Sequence, residues 1–115
     1  MRLRRLSGVK KTHMENKMNA IYTITVLHLS GERRQRTWGW FSDFDTAEKA
    51  VLTNATDMFE MGYYDHAVIE EMPEGLLVVP EKEWFYLAVY KDGIPNISRI
   101  DKPELLENTC CFSMG

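Results

Sequence analysis

Cysteine is nearly absent from this sequence, and the two present, Cys110 and Cys111, are neighbours. A bridge between adjacent residues is strained and closes no loop of use to a fold. The pair therefore reads as free thiols in a reducing cytoplasm rather than as part of a disulfide-stapled secreted scaffold. No second cysteine or histidine stands at ligand spacing from either thiol, so no metal is expected. Long hydrophobic runs are missing as well. "LLVV" (Leu76–Val79) and "WFYLAVY" (Trp84–Tyr90) fall far short of the roughly 20 apolar residues that cross a bilayer, so no membrane association is expected. No glycine loop is spaced to cradle phosphate, and no serine or cysteine sits in a nucleophile elbow. These absences lean against an enzyme and against a bound cofactor.

What is present suffices for one folded unit. The chain has 115 residues, close to the usual size of a single domain, and can bury a core without metals or disulfides. Its 44% hydrophobic and 11% aromatic content marks a globular chain, not a disordered one. Charge is uneven. Residues 1–17 carry six basic side chains against one acid, a net of +5, whereas residues 18–115 carry eight against sixteen, a net of −8. The leader has no long apolar region and is not a secretory signal. Residues 1–17 read as a basic, disordered leader and 18–115 as a single domain. The acidic balance of that body argues against direct nucleic-acid binding.

The elements follow from periodicity. "AIYTITVLHLS" (Ala20–Ser30) is β-branched and apolar on both faces, which predicts a long central strand. "SGER" turns the chain and "RQRTWGWF" runs back as a second strand. "DTAEKAVLTNATDMFEMG" predicts one helix with Asp45 as N-cap, Glu48 completing a capping box, Phe44 as a hydrophobic staple and Gly62 as the C-terminal glycine. Strands are expected at Tyr63–Glu71 and Glu83–Tyr90, and a weak edge strand at "IPNISRI", which contains Pro95. One or two helical turns capped by Asp101 follow. The order β-β-α-β-β defines an α+β fold: an antiparallel sheet of four to five strands with one main helix on one face.

The run "RRQRTWGWFSDF" (Arg33–Phe44) carries the densest chemistry. With a side-chain period of two, Arg36, Trp38 and Trp40 are expected to point the same way. Cations and aromatic rings in one line can stack a base and hold a phosphate. Arg33, Arg34, Arg36, Trp38 and Trp40, with Tyr63 and Tyr64, are therefore the candidate ligand-binding residues. The competing reading is that Trp38 and Trp40 pack under the helix and the arginines are ordinary edge-strand charges. Asp43, Asp45, Glu48 and Asp57 read as helix-end acids. His66, near Glu70 and Glu71, is the one candidate general base. Tyr63, Tyr64, Trp84, Tyr86 and Tyr90 either pack in the core or line an oligomer contact or a pocket.

The strand W-G-W-F, the helix motif A-E-K-A-V, "AVIEE" and "EGL" together resemble a group of small uncharacterised proteins from Firmicutes and their phages and mobile elements. The likeness covers Met18 to Tyr90 and the final Gly115; the basic leader departs from it. It implies a cytoplasmic, phage-borne accessory protein. On that expectation the chain is a stoichiometric counter-defence module, a possible homo-oligomer. It either sequesters a nucleotide-type immune signal with its Arg/Trp arm or presses its acidic surface against a bacterial defence protein. The alternatives are a small nucleotide-processing enzyme using His66 and a host regulatory interaction domain.

Overall fold

The computed structural model describes residues 20–76 and 78–114; the leader 1–17 lies outside them. Five strands, β1 (Ile21–His28), β2 (Arg34–Phe41), β3 (His66–Met72), β4 (Lys82–Lys91) and β5 (Ile94–Ile100), form one antiparallel sheet in the order β2-β1-β3-β4-β5. The one α-helix among the described residues, α1 (Phe44–Leu52), lies between β2 and β3 in sequence. The architecture is thus the α+β class expected. β1 is an interior strand, paired on both sides, and β5, with Pro95 in it, is an edge.

Both faces of the sheet are covered, which explains why β1, β3 and β4 carry apolar residues at odd and even positions. On one face Ile24, Val26, Ile69 and Tyr86 pack with Ala47 and Val51 of α1 and with Met58 and Phe59. On the other, Leu27, Val68 and Phe85 pack with Leu106 and Phe112 from the C-terminal segment. Tyr64 and Tyr86 are buried and Trp84 and Tyr90 pack against the first core, so of the five aromatics considered for an oligomer contact only Tyr63 is largely exposed, at 47%.

The helix departs from expectation at both ends. Its N-cap is Asp43, not Asp45: Asp43 is still extended (φ −134°, ψ 130°), so its carboxylate overhangs the free N–H groups and accepts from Thr46 N at 2.9 Å. Asp45 already lies inside the first turn, and Phe44 packs on Trp84 at 4.3 Å between centroids rather than stapling from outside the helix. Glu48 takes no part in a capping box. The helix stops at Leu52 instead of running to Met61. Asn54, Thr56, Asp57, Glu60 and Met61 all have positive φ, and two 3-10 turns (Ala55–Asp57 and Glu60–Gly62) replace the last helical turns. Short polar side chains compete for the backbone here: Thr53 Oγ1 donates to Lys49 O at 2.8 Å, and Asn54 Oδ1 accepts from Phe59 N at 3.1 Å. Met58 and Phe59 of the expected apolar stripe still reach the core, but from these turns. Tyr63 and Tyr64 precede β3 and do not open it. At the C-terminal end the turn Glu104–Leu106 starts after Pro103 and has no side-chain cap, so Asp101 does not cap it.

The C-terminal segment is held by a buried carboxylate. Glu70, at the centre of β3, is fully buried and accepts from Phe112 N at 3.0 Å and Ser113 N at 3.1 Å. Burial pushes its carboxyl above the ordinary range despite these donors.

Candidate functional site

The W-G-W run owes its shape to a β-bulge. Ile24 pairs with Gly39, but the next residue, Thr25, pairs with Thr37. Trp38 is therefore the extra residue, and the parity of the strand changes across it. Arg36 pairs with Val26 and so shares the α1 face; Trp40 pairs with Thr23 and so shares the opposite face. Arg36, Trp38 and Trp40 do not form one line. Gly39 is what permits the bulge: its φ is +155°, a conformation L side chains rarely adopt.

On the α1 face the structure brings five of the seven candidate residues into a strip. Arg34 lies over the Tyr63 ring at 3.9 Å and donates from Nη2 to Tyr63 O at 3.0 Å. Arg36 lies over the Trp38 ring at 4.2 Å and pairs with Glu60 at 3.2 Å. Trp38 Nε1 donates to Met58 O at 3.2 Å, and Tyr64 meets Tyr63 edge to face at 5.0 Å. Trp38 packs under the turn after α1, as a core residue would, while Arg36 remains 54% exposed on its ring. Arg33 is exposed just before β2, and Trp40, 60% exposed, stands apart from the strip.

Beside Trp38 the bulge and the early end of α1 leave an open cleft of about 350 Å³. Ile24, Trp38, Gly39, Ala50, Ala55 and Met58 line it, with Trp40, Phe41 and Thr56 around them. None of these is charged. Two small residues, Ala50 and Ala55, give the cleft its depth, and a size near the lower end of ligand pockets suits one flat or branched apolar group.

A second charged centre was not legible beforehand. Glu48 Oε2 accepts the Tyr86 hydroxyl at 2.7 Å and Arg99 Nε at 3.0 Å. Arg99 pairs with Tyr86 across β4–β5, so the group ties α1 to the far side of the sheet. Burial pushes the Glu48 carboxyl up, but Tyr86 and Arg99 outweigh it and hold the group below its ordinary value. Burial, reinforced by Glu48, drives the Tyr86 hydroxyl well above its own. Only its long-range partners, 38 and 51 residues away, distinguish Glu48 from a capping acid.

His66 Nδ1 lies 2.8 Å from Asp65 Oδ1, and Asp65 also accepts from Leu29 N at 3.3 Å. The acids considered beside it go elsewhere: Glu70 holds the C-terminal segment, and Glu71 is buried in β3. Among the described residues no three His, Cys, Asp or Glu side chains are grouped to hold a metal, and no helix is long and apolar enough to cross a membrane. No family model, no curated protein and no solved structure is similar to the chain.

Proposed function

We propose that the chain is a stoichiometric binding module for a nucleotide-type ligand. The base enters the apolar cleft against Trp38, and the phosphate lies toward Arg36. The single observation that carries this is the juxtaposition of an uncharged cleft of about 350 Å³ with an exposed guanidinium stacked on the tryptophan at its wall. Aromatic faces bind any base by stacking, and guanidinium forks suit phosphate. Glu60 neutralises Arg36 in the free protein, but a surface pair of this kind is worth little and exchanges readily for a phosphate. In the phage-borne setting implied by the sequence resemblance, such a module sequesters a nucleotide immune signal.

The test is a thermal-shift panel of linear and cyclic nucleotides on the full chain, with each ligand recovered afterwards. A ligand at 100 times its Kd stabilises by about 2.7 kcal/mol, a rise of about 10 °C or more in a domain of this size. Such a rise with the ligand recovered intact supports the module, and recovery of a cleaved ligand replaces it with an enzyme. No rise across the panel removes the nucleotide and leaves the net −8 of residues 18–115 as the surface to test against a basic protein partner.

A further inference from the structure

The segment Thr109–Ser113 crosses the sheet face opposite α1 and is tied at both ends. Lys102 Nζ donates to Thr109 O at 2.9 Å. At the other end Phe112 and Ser113 N–H donate to Glu70, and Gln35 Nε2 donates to Phe112 O at 2.9 Å. Between these anchors stand Cys110 and Cys111, with Sγ atoms 3.1 Å apart. Cys110 is exposed and Cys111 half-buried. Cys111 has φ +60°, a region sparsely used outside glycine.

We propose that Cys110 and Cys111 form a thiol modification site: a low-molecular-weight disulfide of the glutathione type converts them to a vicinal disulfide, and closure frees the C-terminal segment from Glu70. The Cys110 thiolate attacks one sulfur of the small disulfide, breaks its S–S bond and expels one thiolate. Cys111 then loses its proton to that thiolate, attacks the Cys110 sulfur of the mixed disulfide and expels the second. Two protein thiols are oxidised and one small disulfide is reduced to two thiols. The order follows from the site. Cys110 is exposed and Cys111 half-buried, so a small disulfide reaches the Cys110 sulfur first, and contact with Cys110 together with burial raises the Cys111 thiol.

Closure must move the backbone. The sulfurs need to approach from 3.1 Å to about 2.05 Å. Neighbouring Cα atoms sit about 3.8 Å apart, inside the roughly 4.4 Å lower limit of ordinary disulfides. The bridge therefore forms only with torsional changes at Cys110 and Cys111. The ψ of Cys111 also aims the Phe112 N–H at Glu70, so these changes pull the Phe112 and Ser113 N–H groups off the Glu70 carboxylate. Without them the Glu70 carboxylate is buried and short of donors. Release lifts Phe112 from the second core, where it meets Phe85 edge to face at 6.0 Å between centroids. The strain that disqualifies the bridge as a structural staple makes it readily reducible, as a reversible device requires.

The test equilibrates the full chain with oxidised glutathione or with dithiothreitol. Alkylation and intact mass then report the thiols, and amide hydrogen exchange reports the Phe112 and Ser113 N–H groups. The expected result is loss of two hydrogens with no alkylation, and exchange at both amides at least about tenfold faster, reversed by dithiothreitol. The Cys110→Ser/Cys111→Ser double variant keeps slow exchange in both conditions. Cys111→Ser alone takes glutathione on Cys110 and stays latched. Glutathione retained on Cys110 of the unaltered chain, closure with the amides still slow, or fast exchange in Cys111→Ser would each overturn the proposal.

Discussion

Replacing Gly39 with alanine isolates the backbone requirement of the bulge. A Cβ built at Gly39 meets nothing within 4 Å, so the substitution introduces no clash. The entire cost comes from holding a non-glycine residue at φ +155°, which is worth roughly 1–3 kcal/mol. Alanine also narrows the unfolded ensemble, which offsets roughly 0.4–1 kcal/mol. The net is a destabilisation of about 1–2 kcal/mol, and at roughly 4–8 °C per kcal/mol the melting midpoint falls by about 5–15 °C. Gly31→Asn is the control. Its φ of +71° lies in the left-handed region that asparagine tolerates, so that midpoint stays nearly constant. Calorimetry measures both, and acrylamide quenching of tryptophan fluorescence reports whether Trp40 keeps its exposure. A Gly39→Ala protein as stable as the parent would refute the bulge geometry. Preserved stability with Trp40 newly shielded would show that the register had slipped by one residue.

Further consequences concern the packing of α1 and the buried acids. Tyr86→Phe removes the buried hydroxyl that Glu48 accepts at 2.7 Å and is expected to cost about 2 kcal/mol, the usual worth of a hydrogen bond to a charged group, read from denaturant unfolding. Asp43→Ala lowers the melting midpoint, whereas Asp45→Ala leaves it nearly unchanged, because only Asp43 accepts the Thr46 N–H; equal effects would contradict the observed cap. The pH dependence has two parts of opposite sign. Glu48 and Asp43 are held below their ordinary values, so their stabilisation is present above the normal carboxyl range and is lost on acidification. Glu70 is held above its ordinary value of 4.5, so its protonation in the folded state adds stability as pH falls from neutrality toward that value. Glu70→Gln should abolish that gain, giving a midpoint that only declines between neutral pH and the carboxyl range.

The elements of the sheet were legible because their signals are local. The two-sided apolar character of Ile21–His28 marks a central strand, and Pro95 marks an edge. The fold class followed from element order alone. What was not legible depends on contacts distant in sequence or on single backbone angles. A period of two extends through W-G-W unless one knows that Trp38 is unpaired, so the pattern puts Trp40 on the wrong face. The apolar spacing of Ala47, Val51, Ala55 and Met58 is helical, yet Thr53, Asn54 and Asp57 end the helix by bonding their own backbone, and the stripe is completed from 3-10 turns. Asp45–Glu48 matches a capping box, but Glu48 is drawn away by Tyr86 and Arg99. The second core was hidden because Leu106 and Phe112 lie in a segment with little regular structure. Of the candidate site, the Arg/Trp/Tyr strip was visible in composition, while the cleft arises only from the bulge meeting the shortened helix at Ala50 and Ala55.

The most direct test of the binding account fills that cleft without removing any of its walls. Ala50→Leu keeps a strong helix former in α1 and places three more carbons in the cleft beside Trp38. Titration calorimetry compares this variant with the parent chain for the nucleotide that gives the largest thermal shift. The account predicts that affinity falls by at least about tenfold, equivalent to roughly 1.4 kcal/mol, while the melting midpoint of the free protein is unchanged or raised. Equal affinity in the two proteins would contradict it and place the ligand elsewhere on the chain.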